Sequence, residues 1–93
     1  MYSPVSQSEF ETITELAAWK YEGEKISITL TTANFSAAGS LAAKIAALAD
    51  EVNHHPDLMI SYPGLVKVVL TTHDRGGVTD ADVGLARQIM QLK

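Results

Sequence analysis

The 93-residue chain contains no cysteine and no long apolar run. Without cysteine it has neither a disulfide framework nor a thiolate metal site. The N-terminal stretch MYSPVSQSEFE has no basic start and no apolar core, so we expect no signal peptide. No segment approaches the roughly 18 apolar residues that a membrane span needs. We therefore expect a cytoplasmic protein with no membrane partner.

Positive charge is also scarce. Seven lysines and arginines stand against eleven acidic residues, which gives a net charge of −4. This balance offers no electrostatic attraction to DNA or RNA, so we expect no nucleic-acid partner. Hydrophobic residues make up 46% of the chain and charged residues 19%, as is ordinary for a globular protein. The length predicts a single domain over residues 1–93.

The first half of the chain predicts a helix, two strands and a long second helix. Apolar residues recur at helical spacing over 6–18, with Ser8 and Glu11 as a capping box. Residues 19–21 predict a short strand, and 25–31 alternate as a half-buried strand does. The long helix over 34–52 has a broad apolar stripe and alanine on its other face, which suits contact with a second subunit.

The second half predicts a hairpin and a closing helix. Strands over 58–62 and 65–72 flank the turn residues Pro63 and Gly64. Thr79 is placed to cap a last helix. The element order is therefore α-β-β-α-β-β-α. This order predicts an α+β fold in which a four-stranded antiparallel sheet carries its helices on one face.

Three histidines are the main candidates for chemistry. His54 and His55 are adjacent at the end of the long helix, and His73 follows a strand at a glycine loop. Imidazole suits acid–base catalysis because it titrates near neutral pH. The competing interpretation is that they are surface or capping residues, since histidine favours helix C-termini. We predict no metal, because an adjacent pair lacks the i,i+4 spacing of zinc-binding histidines.

Two carboxylates are possible partners for these imidazoles. Asp82 and Asp50 could fix a histidine tautomer and support an imidazolium ion. Each also has a simpler explanation. Asp82 lies in the first turn of a helix, where the helix dipole favours an acid, and Asp50 can be a solvated helix residue.

These residues form a pattern that resembles the signature of the pterin-4a-carbinolamine dehydratases. Residues 50–57 read DEVNHHPD, Tyr62 follows, and residues 71–82 read TTHDRGGVTDAD. The signature has an acidic residue before His-His-Pro, a downstream aromatic, a Thr-His pair and an Asp that opens the last helix. The resemblance covers nearly the whole chain. The sequence departs from it at Leu58, where many members carry Trp, at Ile60, which replaces a polar residue, and in a hairpin longer by one residue.

The resemblance implies an enzyme that converts 4a-hydroxytetrahydrobiopterin, or a similar 4a-hydroxytetrahydropterin, to quinonoid dihydropterin and water, in tetrahydropterin recycling. It implies no cofactor. The short chain, the broad apolar helix and the open sheet edge separately predict a homodimer or homotetramer. The residues that it implies as catalytic are His54, His55, His73 and Asp82. Those expected to contact the pterin are Asp50, Asn53, Pro56, Leu58, Thr71 and Thr72, with backbone groups around the two threonines binding the pterin edge.

Two other functions stay open. One is a non-catalytic binding protein on the same fold, such as a coactivator or an assembly chaperone, and the alanine-rich helix face motivates it. The other is a related dehydration or proton transfer on another pterin-like molecule, which the Leu58 departure motivates.

Overall fold

A computed structural model describes residues 2–92, and its centre is one antiparallel sheet of four strands. The strands are β1 (Lys20–Glu22), β2 (Lys25–Thr31), β3 (Asp57–Ser61) and β4 (Leu65–Leu70). Their spatial order is β1-β2-β4-β3, so β2 and β4 form the middle. This arrangement follows from two hairpins, β1–β2 and β3–β4, placed side by side.

The register of the central pair aligns the apolar alternation that the sequence shows. Ile26 lies opposite Leu70, and Ile28 lies opposite Val68. All four side chains are buried. The alternate positions, such as Thr29 and its partner position 67, are exposed on the other face. One face of the sheet is therefore the core side, because side chains alternate across a strand.

Two helices cover that core side. They are α2 (Phe35–Val52) and α3 (Asp80–Gln91). Ala38, Ala42 and Ile45 of α2 join the same buried cluster as the sheet residues, and so does Ile89 of α3. The structure confirms the predicted α+β class, the element order and the placement of the helices on one face. No helix within residues 2–92 has the length and apolar character needed to cross a membrane.

The predicted first helix over 6–18 is wrong in extent. Only α1 (Gln7–Phe10) is α-helical, and a separate 3₁₀ turn covers Thr14–Leu16. Phe10 and Leu16 are both buried. In one continuous helix, a separation of six residues would place these two side chains about 240° apart around the helix axis. The chain bends between them, and both side chains reach the core.

The capping box of this helix is also two residues earlier than predicted. The Ser6 side chain accepts a hydrogen bond from the Glu9 backbone N–H at 3.2 Å, and the Glu9 carboxylate accepts one from the Ser6 N–H at 2.9 Å. The Ser6 backbone N–H holds the pKa of the Glu9 carboxyl below its ordinary value, because the bond favours the charged form. The predicted pair, Ser8 and Glu11, does not form the box.

The other elements begin and end close to their predicted positions. β2 has the predicted bounds, and α2 begins one residue after its N-cap Asn34. The β3–β4 turn is held against the start of α2. The Thr32 N–H donates to the Gly64 carbonyl at 2.7 Å, and its hydroxyl donates to the same oxygen at 2.8 Å.

Candidate active site

At the end of α2, two neighbouring histidine side chains contact two different carboxylates. Asn53 adopts the left-handed conformation at the C-cap, with φ 55°, and ends the helix. His54 Nε2 then lies 2.6 Å from Asp82 Oδ1, whereas His55 Nε2 lies 2.9 Å from Asp50 Oδ1. Both possible carboxylate partners therefore lie within hydrogen-bonding distance of a histidine.

The two pairs differ greatly in their exposure. The His54 side chain is 12% exposed and that of Asp82 is completely buried, whereas the His55 and Asp50 side chains are 57% and 79% exposed. Exposed pairs contribute little free energy because water screens the charges. The first pair is held in a fixed geometry inside the protein, and the second is a surface contact.

Asp82 accepts hydrogen bonds at both carboxylate oxygens. Its Oδ2 accepts from the Thr72 hydroxyl at 2.8 Å and from the Thr79 backbone N–H at 2.9 Å. The Thr79 bond belongs to the capping box that begins α3. Asp82 is therefore both the first-turn residue that its position predicted and the partner of a histidine.

This network determines which ring nitrogen of His54 carries a proton. Thr72 uses its one hydroxyl hydrogen on Asp82, so the Thr79 hydroxyl donates to Thr72 Oγ1, 2.8 Å away. An ionised Asp82 has no hydrogen to donate, so Nε2–H of His54 is the donor in the 2.6 Å bond. A neutral His54 therefore has its lone pair on Nδ1.

His73 approaches from the end of the sheet. It begins the 3₁₀ turn His73–Arg75, which follows β4 and ends at Gly76 in the left-handed conformation, with φ 67°. The turn is closed by backbone bonds from the Thr72 N–H to the Gly77 carbonyl at 2.9 Å and from the Arg75 N–H to the Thr72 carbonyl at 3.0 Å. His73 is exposed.

The three histidines line one open cleft with a volume of about 340 Å³. Its size is at the lower end of small-molecule sites, which are roughly 300–1,000 Å³. The lining residues are Tyr2, Asn53, His54, His55, Thr71, Thr72, His73 and Asp74. A larger groove of about 480 Å³ lies beside α1 and β1 but is lined by no histidine. The histidine cleft is the better candidate for acid–base chemistry.

Some of the residues that we expected to contact a ligand line this cleft, and others do not. Asn53, Thr71 and Thr72 line it, but Pro56 and Leu58 are not among its lining residues. Leu58 instead packs against the hydrophobic core. Thr72 supports the cleft from within, since its backbone N–H and carbonyl already bond to Gly77 and Arg75.

Two cleft residues were missed by reasoning from sequence. Tyr2 and Asp74 both line the cleft. Asp74 could have been predicted, because it directly follows the candidate residue His73 in the sequence. Tyr2 is far away in the chain and had no local signal. Within residues 2–92, no three histidine, aspartate or glutamate side chains come together as a metal ion would require.

The fold and the cleft define a class of small α+β proteins with three histidines grouped in one cleft. Residues 3–92 of the sequence match the family described as pterin 4 alpha carbinolamine dehydratase. The chain belongs to this family.

Named relatives and solved structures agree with the family match. The chain is 44% identical to an inferred pterin-4-alpha-carbinolamine dehydratase of Nostoc punctiforme, over 84% of this chain and 83% of the relative. A similarly named protein of Thermomicrobium roseum is 38% identical over the same shares. A Brucella melitensis crystal structure titled transcriptional coactivator/pterin dehydratase has a TM-score of 0.85 at 30% identity, and covers 96% of this chain and 97% of that one.

A more distant structure shares the fold alone. It is described as a pterin dehydratase-like protein that is a RuBisCO assembly factor in the alpha-carboxysome. It is 17% identical, with a TM-score of 0.64 and coverage of 77% of this chain and 84% of that one.

Proposed function

We propose that the protein dehydrates a 4a-hydroxytetrahydropterin, such as 4a-hydroxytetrahydrobiopterin, to the quinonoid dihydropterin in tetrahydropterin recycling. The observation that carries this proposal is the buried His54–Asp82 pair in a cleft that also holds His55 and His73. The family match supports the choice of a pterin as substrate. A surface or capping role for all three histidines would not require a fully buried carboxylate behind one of them.

The reaction needs one proton donor and one proton acceptor. The bond between the ring carbon and its hydroxyl breaks, and a general acid gives a proton to the leaving oxygen, which departs as water. The adjacent ring N–H loses its proton to a general base, and the new carbon–nitrogen double bond forms. No electrons enter or leave, so two imidazoles of opposite protonation state suffice.

His54 is suited to the role of base. Asp82 holds the proton on Nε2, which leaves Nδ1 with a lone pair. When Nδ1 accepts a proton, the buried carboxylate stabilises the imidazolium that forms, as in other Asp-His pairs. We assign Asp82 as a positioning residue that acts through His54.

His73 is suited to the role of acid, and His55 to the role of binding. His73 reaches the cleft from the end of the sheet, so it can address a different atom from the one that His54 addresses. Among residues 2–92, the His55 side chain bonds to one carboxylate, that of exposed Asp50, and can turn toward a ligand. Asn53 and Thr71 border the same cleft and are assigned to substrate contact.

A direct assay of 4a-hydroxytetrahydropterin dehydration with purified protein tests this function. The wild-type protein should accelerate water loss above the spontaneous rate, and His73→Ala should remove most of that acceleration. Lys67→Ala, an exposed change on the sheet face away from the core, is the control and should leave the rate unchanged. A wild-type protein that does not accelerate the reaction would refute the proposal and favour a binding role.

The proposal includes a cytoplasmic homodimer or homotetramer. Phe35 and Val52 at the two ends of α2 are exposed, and so are Met59 and Ile60 on the edge strand β3. An edge strand with exposed apolar side chains needs a cover. Light scattering at micromolar concentration should give at least twice the 10.0 kDa chain mass. A monomer would contradict this part of the proposal without affecting the assay above.

A further inference from the structure

The N-terminal segment is fastened beside the start of α3. The Ser3 N–H donates to Asp80 Oδ1 at 2.9 Å, and the Asp80 N–H donates to the Ser3 carbonyl at 2.9 Å. Pro4 forms an antiparallel bridge with Thr79, and the Val5 N–H donates to the Val78 carbonyl at 2.9 Å. The chain from 3 to 5 therefore has a defined register against residues 78–80, which include the N-cap of the helix that carries Asp82.

This register places the Tyr2 ring at the candidate active site. Its centroid lies 6.0 Å from that of the His54 ring, and the two planes meet at 53°. The Arg75 guanidinium carbon lies 6.0 Å from the Tyr2 ring centroid, within the usual range of a cation–π contact. His54 and Arg75, which come from different parts of the fold, thus lie beside the Tyr2 ring. The Tyr2 backbone is positioned by the bonds of the neighbouring residues 3–5.

Tyr2 is not a core residue. It is 36% exposed. It lines the histidine cleft and also a second cavity of about 190 Å³, whose other lining residues include Val52, Gly84 and Gln88. The backbone hydrogen bonds of Ser3 and Val5 already fasten the segment, so the ring is not required as its anchor. The position suits an aromatic surface offered to a ligand.

We propose that Tyr2 is a substrate-positioning residue whose ring forms one wall of the pterin site. This inference rests on the proposed function, because a pterin presents the flat face of its pyrimidine ring, on which an aromatic wall can stack. Aromatic side chains stack on planar bases with little dependence on their polar edges. The Tyr2 ring would stack on the face of the pterin, while the three histidines contact the edge of the pterin. Its hydroxyl has no assigned part.

Binding of 7,8-dihydrobiopterin separates this role from catalysis. This pterin lacks the 4a-hydroxyl group, so it can occupy the site without being dehydrated. Isothermal titration calorimetry would compare wild type, Tyr2→Ala, Tyr2→Phe and the control Tyr62→Ala. Tyr62 is a second exposed tyrosine that does not line the histidine cleft. Turnover of the 4a-hydroxytetrahydropterin by the same proteins would supply kcat and KM.

We expect Tyr2→Ala to weaken binding by about tenfold, in the lower half of the range for aromatic stacking on planar bases. Its KM should rise by a similar factor while kcat stays within about twofold of wild type, since a positioning wall acts on binding more than on proton transfer. Tyr2→Phe and Tyr62→Ala should behave as wild type. The melting temperature of Tyr2→Ala should be unchanged, and Tyr2→Leu replaces it if Tyr2→Ala does not fold.

Three results would overturn the inference. Unchanged binding and KM in Tyr2→Ala would show that the ring is no wall. A loss in Tyr2→Phe equal to that in Tyr2→Ala would assign the effect to the hydroxyl. A lower kcat with unchanged KM would place the effect in proton transfer. An active wild type combined with any of these rejects the Tyr2 role alone, whereas a wild type that neither binds the pterin nor turns over rejects the proposed function with it.

Discussion

Replacing Asp82 by Asn tests whether this carboxylate sets the tautomer of His54. The Asn amide oxygen can still accept from the Thr72 hydroxyl and the Thr79 N–H, as Asp82 Oδ2 does now. The amide nitrogen then replaces Oδ1 and must donate to His54 Nε2, because two N–H groups cannot share one bond. The His54 proton moves to Nδ1, and the lone pair that would accept the substrate proton is lost.

The sequence alone predicts a mild effect, because the change disturbs orientation and charge without removing a proton carrier. The burial of Asp82 argues for a large effect. Loss of a general base costs roughly 10²- to 10⁴-fold in rate. An Asp-to-Asn change that leaves a triad histidine in the wrong tautomer costs about 10⁴-fold. We expect kcat to fall roughly 10³-fold. The protein should still fold, with a loss of about 1–2 kcal/mol, because every polar partner keeps a neutral hydrogen bond in place of a charge-assisted one.

Two measurements on the same samples check this reasoning. Nitrogen-15 chemical shifts of the His54 ring should show the proton on Nε2 in wild type and on Nδ1 in Asp82→Asn. The dehydration assay should show the loss in kcat. Asp80→Asn is the matched control, since Asp80 is an exposed first-turn residue of the same helix and Asn keeps an oxygen for the Ser3 N–H. A changed tautomer with at least a third of wild-type kcat would refute the role assigned to Asp82.

Three further predictions concern the histidines and one turn. The double mutant His54→Ala/His73→Ala should lose little more kcat than the worse single mutant, since residues that act as a unit are not additive; additive losses would contradict a shared step. His55→Ala should raise KM more than it lowers kcat, as steady-state kinetics would show. Gly64→Ala should lower the free energy of unfolding in urea by about 2 kcal/mol, because its Cβ would lie 2.8 Å from two backbone oxygens. Gly39→Ala, in open space within a helix, should raise it instead.

The sheet and the long helices could be predicted from sequence because local periodicity encodes them. Alternation marks residues 25–31 as a strand, and the structure has β2 at those bounds. Asn34 and Thr79 cap α2 and α3 by bonds to residues two or three positions later, which are local interactions. The first helix could not be predicted in full, since its early end depends on burial of both Phe10 and Leu16, which is a tertiary requirement.

The chemical elements of the candidate site were visible in the sequence, but their arrangement was not. Three histidines and two acids in a recognisable pattern predict which residues carry acid–base chemistry. Only the tertiary structure decides that Asp82 serves His54 and Asp50 serves His55, since the first pair joins residues 28 positions apart. The same holds for Tyr2, which reaches the cleft because Ser3 pairs with Asp80, 77 positions away. Residue types and local spacing are properties of the chain, whereas the burial that fixes a tautomer or places a ring exists only after distant segments have packed together.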